Sequence, residues 1–87
     1  MVCFVYILGS EGNGGAGSPG RLRTYVGWTT DLDKRLKAHN SGEGAKSTRG
    51  RQWGLLYAER YATRSEAMSR EWHLKRERAF RKALAGL

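Results

Sequence analysis

The sequence predicts a small protein of the mixed α/β class (α+β), in which helices flank a three-stranded antiparallel sheet in the order β-β-α-β-α-α. Apolar and aromatic runs at 2–8, 22–28 and 55–61 have the length and composition of strands. A glycine-rich segment separates the first two runs, and amphipathic segments follow the second and the third. With 87 residues the chain has room for one domain, which we expect to span 1–87.

The three strands differ in pattern. The uninterrupted run VCFVYIL at 2–8 is typical of a central strand that is buried on both faces. Residues 9–20 are rich in glycine and contain the single proline, which predicts a long flexible loop between two antiparallel strands. In the third strand, alternation places one set of side chains on one face and the rest on the other, namely Leu55, Tyr57, Glu59 and Tyr61 against Leu56, Ala58 and Arg60.

Capping residues mark the first helix. Thr30 is the predicted N-cap of a helix at about 31–39, with Asp33 three residues later in a position that resembles a capping box. Asn40 or Gly42 is expected to end this helix, because both residues tolerate the left-handed conformation.

The same signal marks the second helix. Thr63 is followed three residues later by Glu66, which predicts a helix at about 64–78. A last amphipathic segment occupies 79–87.

Charge indicates the class of partner. Sixteen Lys and Arg residues stand against eight Asp and Glu residues, giving a net charge of +8 and a pI near 10.3. Such a balance is typical of a protein that binds a polyanion, with nucleic acid as the first candidate; a basic but inert surface is the alternative. The single cysteine, Cys3, excludes an intrachain disulfide, and no apolar stretch has the length of a membrane span. We therefore expect a cytoplasmic protein with no membrane contact.

One acidic residue of the second helix is out of place. On a helical wheel, Glu71 falls inside the apolar arc that Ala67, Met68, Trp72 and Leu74 define. A carboxylate that faces the sheet needs a partner. Two explanations stay open at this point: an ion pair with Lys75 one turn away, or a carboxylate that binds a metal ion or orients a catalytic group.

The first helix brings two phosphate-binding groups together. Leu32 and Leu36 define its buried stripe, and Arg35 and His39 flank that stripe one turn apart. A guanidinium binds phosphate oxygens in a bidentate manner, and an imidazole donates to phosphate or transfers a proton. The preceding strand carries Tyr25, and these groups together suit the stabilisation of charge on a phosphodiester.

These residues occur in an order that resembles a known family. The tripeptide at 4–6, the YVG tripeptide at 25–27, and then Arg35, His39 and Glu71 are similar to the motif of the GIY-YIG nucleases. The likeness extends over residues 2–78 and is greatest to the small single-domain bacterial members, with a further similarity to the branch of structure-selective endonucleases. The first tripeptide departs from the family pattern because it is Phe-Val-Tyr and lacks the glycine.

The resemblance implies hydrolysis of phosphodiesters with one divalent cation, Mg²⁺ or Mn²⁺. By the same resemblance, Glu71 is the metal ligand and Arg35 stabilises the pentavalent phosphate. Tyr6 and Tyr25 line the site, where one of them orients or deprotonates the attacking water.

The resemblance also assigns two further site positions. His39 contacts the phosphate or assists the proton transfer. Gly27 allows close approach of the backbone and counts among the residues expected to bind nucleic acid.

The basic loop after the first helix supplies further candidates. Lys46, Arg49 and Arg51 are predicted to contact backbone phosphates, and Trp53 either packs in the core, which we favour, or stacks on a base.

The sequence therefore predicts a metal-dependent endonuclease that acts on DNA and prefers flaps, branches or single-stranded segments. The alternatives are a module of the same fold that binds without cutting, or that cuts with a protein partner for substrate targeting, and a basic protein associated with RNA or the ribosome.

Overall fold

The computed structural model of the protein describes residues 2–11, 22–46 and 52–84. In this part of the chain the predicted element order is confirmed. The elements are strands β1 (Cys3–Glu11), β2 (Leu22–Thr29) and β3 (Gly54–Tyr61), and helices α1 (Leu32–Asn40), α2 (Arg64–Arg76) and α3 (Arg78–Leu84). None of the described helices has both the length and the apolar character that crossing a membrane requires.

Strand β1 is the centre of the sheet. The strand order is β2-β1-β3, and β1 pairs with both neighbours in the antiparallel direction. Val5 and Ile7 point to one face, Tyr6 and Leu8 point to the other, and all four are almost fully buried. The prediction of a central strand buried on both faces is therefore confirmed.

Strand β1 is longer than predicted. Residues 9–11 were assigned to the flexible loop at 9–20, but they pair with residues 22–24 of β2. That part of the prediction is wrong. Gly9 lies in the strand and not in a turn, and it lets the Leu56 side chain pack closely against the backbone. A Cβ atom at Gly9 would lie 2.6 Å from Leu56 Cδ1. Residues 12–20 of the predicted loop lie outside the described residues.

The two faces of the sheet are covered by different helices. The cluster under α2 comprises Cys3, Val5, Ile7, Val26, Ala67 and Leu74, with Phe80 and Leu84 of α3 packed against it. The cluster under α1 comprises Tyr6, Leu8 and Trp53, with Tyr25, Leu32 and Leu36 packed against it. Each face is thus closed by at least one helix, and β1 contributes to both clusters.

A bulge changes the pattern of β3. Ile7 pairs with Tyr57 whereas the next residue, Leu8, pairs with Leu55, so β3 carries one extra residue at Leu56. Leu56 joins the cluster under α2, and Leu55 lies on the α1 side, where it lines a small pocket. The predicted grouping of Leu55 with Tyr57 on one face is wrong, since strict alternation does not continue through a bulge.

Side-chain caps begin both long helices. The N-cap of α1 is Asp31, whose Oδ1 accepts a hydrogen bond of 3.1 Å from Lys34 N, and the prediction of Thr30 is wrong by one residue. The prediction for α2 is confirmed, because Thr63 Oγ1 accepts from Glu66 N at 3.2 Å.

Helix α2 buries a narrower stripe than the wheel predicts. Ala67 and Leu74 are fully buried, but Met68 and Trp72 are 48% and 53% exposed. The assignment of these two side chains to the core is wrong. Aromatic side chains of the sheet, Tyr61 among them, already fill much of this layer, so a stripe of two residues suffices to close it.

Glu59 of β3 is the polar anchor of α2. Its carboxylate accepts hydrogen bonds from the hydroxyls of Tyr57 and Tyr61, and Arg70 of α2 donates to it from Nε at 2.8 Å and Nη2 at 3.1 Å. Burial opposes ionisation of this carboxyl and is the largest single influence. The hydrogen bonds from Arg70 and the two tyrosines together outweigh it and lower the pKa of Glu59 to about 2.

The first testable prediction concerns this anchor. The folded state holds the pKa of Glu59 below the unfolded value of 4.5, so its contribution is complete above that pH and is lost as the pH falls toward 2. We expect Glu59→Gln to lower the free energy of unfolding at pH 7 by about 2–3 kcal/mol. Urea denaturation at pH 7 and at pH 2.5 measures the effect.

The control variant is Glu43→Gln, since Glu43 is an exposed carboxylate in the segment after α1. It should change the free energy of unfolding little at either pH. A Glu59→Gln protein that keeps the same loss at pH 2.5 as at pH 7 contradicts the prediction.

Candidate active site

Two tyrosines meet above a glycine on the α1 face of the sheet. Tyr6 of β1 pairs with Gly27 of β2, and Tyr25 lies two residues before Gly27, so all three residues share this face. A Cβ atom at Gly27 would lie 2.6 Å from the Tyr6 hydroxyl oxygen and 3.0 Å from Tyr25 Cε2. Only glycine leaves the space that both rings occupy, and their centroids are 6.3 Å apart. The space above Gly27 is thus occupied by these two tyrosine side chains, and the close approach of the Gly27 backbone to nucleic acid stays a prediction.

His39 lies behind the two tyrosines. It comes from the last turn of α1, is fully buried, and has its ring centroid 4.9 Å from that of Tyr25. The Tyr6 hydroxyl oxygen is 2.9 Å from His39 Nε2. Gly44 packs against the Nδ1 side of the ring, where a larger residue would collide with the imidazole. His39 is therefore deeper than the core boundary at which the sequence places it.

Burial and Arg35 control the protonation of this pair. Burial lowers the pKa of His39, and the positive charge of Arg35 lowers it further. Burial also raises the pKa of Tyr6, although a hydrogen bond from Arg35 opposes part of that effect. Both groups are therefore neutral near pH 7. When the neutral imidazole carries its proton on Nδ1, its Nε2 accepts the hydrogen bond from the Tyr6 hydroxyl.

Arg35 completes the group on α1. Its guanidinium is partly buried and lies beside the Tyr6 hydroxyl, and the hydrogen bond to Tyr6 is the main reason that the pKa of Arg35 is raised. The side chain stays charged at every working pH. The small pocket beside it is lined by Tyr6, Leu8, Leu32, Asp33, Leu36 and Leu55.

Asn40, which the sequence places only at the end of the helix, supports the candidate site through the backbone of Trp53. Its Nδ2 donates to the Trp53 carbonyl at 3.0 Å, and its Oδ1 accepts from Trp53 N at 2.5 Å. Trp53 is 6% exposed and its ring lies 6.4 Å from that of Tyr25, in agreement with core packing. Ser41 is the C-cap instead, and Gly42 takes the left-handed conformation with φ of 86°.

The signal for Asn40 was present but ambiguous. An asparagine at a helix end indicates a cap or turn by itself, and its partner here is the backbone of a residue thirteen positions later. Only the tertiary structure reveals that contact.

Glu71 lies on α2, the helix that covers the opposite face of the sheet from α1. Its side chain is 22% exposed, and Lys75 Nζ lies 3.8 Å from its Oε1. The ion pair that the sequence left open is thus formed. The charge of Glu71 also contributes to raising the pKa of Tyr6, after burial and Tyr25, so the two groups lie within electrostatic range.

The donor set suits a weakly held metal ion. Among the described residues, no cluster of three or more His, Cys, Asp or Glu side chains could hold a metal by itself. Mg²⁺ commonly keeps several waters and binds through one or two carboxylates plus substrate phosphates. The partly exposed carboxylate of Glu71 fits that second mode.

The basic loop is described in part. Lys46 is exposed, which leaves its ammonium group accessible to a phosphate. Arg49 and Arg51 lie outside the described residues.

Comparison with known proteins identifies the family. The model of the GIY-YIG catalytic domain matches residues 2–83 of this chain. The chain belongs to the GIY-YIG family. The matched family model is that of a catalytic domain. One face of this domain brings together four of the predicted site residues, namely Tyr6, Tyr25, Arg35 and His39.

Several small proteins are similar to this GIY-YIG domain. The UPF0213 protein of Clostridium perfringens is 53% identical over 53 residues, which cover 60% of this chain and 57% of that protein. The UPF0213 protein of Halobacterium salinarum is 47% identical over 62 residues, which cover 69% and 80%. The chain spans a little over half the length of the first of these relatives.

A solved structure supports the fold. The solution NMR structure of the UPF0213 protein from Bacillus halodurans has 38% sequence identity and a TM-score of 0.50. The alignment covers 99% of this chain and 84% of that protein. The α+β architecture of this GIY-YIG domain is thus shared with a relative.

The second prediction concerns Gly27. We expect Gly27→Ala to displace Tyr6, break its hydrogen bond to His39, and lower the free energy of unfolding by about 1–3 kcal/mol. Gly54→Ala is the matched control, because no atom lies within 4 Å of a Cβ built there. Urea denaturation of both variants measures the difference, and an equal loss in the two proteins contradicts the proposed contact.

The third prediction concerns His39. Its imidazole should titrate below the ordinary value of 6.5, and Arg35→Ala should raise this pKa while burial still keeps it below 6.5. Since folding disfavours the protonated form, the stability that His39 contributes is lost as the pH falls below 6.5.

NMR of the imidazole C–H resonances gives the pKa directly. Lys37→Ala removes an exposed cation of the same helix and is the control. A His39 pKa above 6.5, or an equal response to both variants, contradicts this account.

Proposed function

We propose that the protein is a metal-dependent endonuclease that hydrolyses phosphodiester bonds in DNA. The convergence of Arg35 and the Tyr6–His39 hydrogen bond on the α1 face carries this proposal, and the charge of Glu71, which contributes to raising the pKa of Tyr6, supports it. It combines a fixed positive charge, a proton-transfer pair and a metal-binding group. Family membership supports the same reaction class.

Arg35 supplies the charge. Because the pKa of this guanidinium is raised, it stays protonated and binds the non-bridging oxygens of the scissile phosphate. These oxygens gain negative charge as the nucleophile adds, so the interaction strengthens in the transition state.

Tyr6 and His39 handle the proton. With His39 protonated at Nδ1, the Tyr6 hydroxyl donates to Nε2, and the phenol oxygen has one lone pair for the hydrogen bond from Arg35 and a second for a proton of the attacking water. As that proton arrives, the phenol proton moves to His39, and tyrosine never becomes a free phenolate. This route avoids a tyrosinate, which the raised pKa of Tyr6 disfavours, and forms an imidazolium, which burial and Arg35 disfavour in the free protein. Tyr25 packs beside His39 and holds the ring in place.

Glu71 is the proposed ligand of the metal ion, Mg²⁺ or Mn²⁺. When bound, the ion supplies Lewis-acid stabilisation of the leaving oxygen. Lys75, which is 54% exposed and pairs with Glu71 at 3.8 Å, can leave the carboxylate at little cost because such pairs contribute only about 0.3–0.5 kcal/mol.

The same ion pair favours a second candidate function. A Glu71 carboxylate that Lys75 neutralises needs no metal, as expected of a module that binds nucleic acid without cutting or that cuts only with a protein partner. The net charge of +8 and the exposed Lys46 support nucleic-acid binding in either case.

Since DNA is the proposed substrate and Cys3 is a free buried thiol, we propose the cytoplasm as the compartment.

The fourth prediction separates the two functions. With Mg²⁺ or Mn²⁺, the wild-type protein should cut labelled DNA, with flap, branched and single-stranded substrates compared against duplex and matching RNA. EDTA should abolish cutting, and Glu71→Gln should reduce the rate at least about 10²-fold.

The matched control is Glu77→Gln, which removes the same charge from an exposed position at the end of α2. It should cut at nearly the wild-type rate. Binding of DNA should be retained in both variants, because each loses a negative charge. Cutting by Glu71→Gln at the wild-type rate rules out the proposed role of Glu71, whereas binding without any cutting supports the second candidate.

A further inference from the structure

Helix α2 presents an exposed row that the proposed active site does not use. Arg64, Met68, Trp72 and Arg76 recur every fourth residue, and all four are exposed. At a rise of 1.5 Å per residue the row is about 18 Å long. We call these four residues the α2 row. Cations stand at its two ends, and apolar side chains fill its middle.

The arginines of the α2 row lie on tryptophan rings. The Arg76 guanidinium is 3.6 Å from the centroid of the Trp72 ring, and its Nη1 donates to the Trp72 carbonyl at 3.4 Å. At the other end, Arg64 lies 5.5 Å from the centroid of the Trp28 ring. Among the described residues, no carboxylate forms an ion pair with Arg64 or Arg76. Arg76 covers one face of the Trp72 ring, which is still 53% exposed. The row therefore combines aromatic surface with positive charge that no carboxylate of the described residues pairs.

The chemistry of the row matches an unpaired nucleic-acid strand. Proteins that bind single strands use cations to follow the phosphates and aromatic rings on which bases stack. A base pair inside a duplex keeps its faces covered, so it offers no face to Trp72. The uncompensated arginines make a polyanion a better occupant than the apolar surface of a second protein.

We infer that the α2 row binds an unpaired DNA strand, with a base stacked on Trp72 and phosphates on Arg64 and Arg76. This inference rests on the proposed function and deepens it, because Trp72 is the next residue after Glu71. A strand on the row would lie on the same helix as the proposed metal ligand. Unpaired DNA next to the scissile bond then selects the substrate.

The test measures binding in EDTA, so that no cleavage occurs. Fluorescence anisotropy gives the affinity of each variant for a labelled single strand and for a duplex of the same sequence. We expect Trp72→Ala to weaken single-strand binding by about tenfold while duplex binding stays nearly unchanged. Trp72→Phe keeps a flat ring and should retain most of the affinity.

The matched control for charge is the pair Arg76→Ala and Arg78→Ala. Both residues are exposed cations near the end of α2, but only Arg76 lies on the Trp72 ring. Arg76→Ala should weaken single-strand binding more than Arg78→Ala does, and the two should affect duplex binding equally.

Three outcomes overturn the inference. They are an unchanged single-strand affinity in Trp72→Ala, an equal loss on single strand and duplex, and self-association in sedimentation that depends on Trp72. The cleavage assay is independent of this result. Trp72-dependent single-strand binding in a protein that never cuts supports the row and contradicts the endonuclease.

Discussion

The candidate site depends on one contact, the passage of the Tyr6 side chain over Gly27. The antiparallel pairing of β1 and β2 sets these residues opposite each other, and a Cβ on Gly27 would lie 2.6 Å from the tyrosine hydroxyl. The missing side chain lets the hydroxyl reach His39 Nε2 at 2.9 Å, and the buried imidazole thereby gains a partner for one nitrogen. Without this contact, a fully buried ring nitrogen would be left without that hydrogen bond, at a cost of about 1–3 kcal/mol.

Strand β1 connects this contact to the rest of the fold. Cys3, Val5 and Ile7 pack under α2, and Tyr6 and Leu8 pack under α1, so neither helix can shift without disturbing the strand between them. The Glu59–Arg70 pair fixes α2 to the sheet through two hydrogen bonds. This arrangement sets the distance between Glu71 on one layer and Tyr6 on the other. If Glu71 is the metal ligand, the site includes groups from both layers, and the packing of the whole sheet then determines its geometry.

Local chemistry predicted much of this structure. The apolar run of β1 and the Thr63–Glu66 cap are signals within a few residues, and both are confirmed. Three features depend on distant contacts, and the sequence predicts them wrongly or incompletely. The bulge at Leu56 follows from the register of β3 with β1. Trp72 is exposed because aromatic side chains of the sheet already fill the layer under α2. For the candidate site, the order of the motif residues identifies the four side chains that meet on the α1 face. The two hydrogen bonds between Asn40 and the Trp53 backbone join distant segments, and no local sequence pattern predicts them.

Energetics favour a functional reason for Glu71. A carboxylate that is only 22% exposed loses hydration, and its i,i+4 pair with Lys75 at 3.8 Å contributes only about 0.3–0.5 kcal/mol. Glu59, which is buried to a similar degree, has two arginine hydrogen bonds and two tyrosine hydroxyls to offset the same loss. The contrast between the two acids is informative. The hydrogen bonds of Glu59 are formed within the fold, whereas the only ion-pair partner of Glu71 among the described residues is the exposed Lys75. The Glu71 carboxylate can therefore exchange Lys75 for a cation that arrives with the substrate. The proposed endonuclease requires such an available carboxylate as its metal ligand.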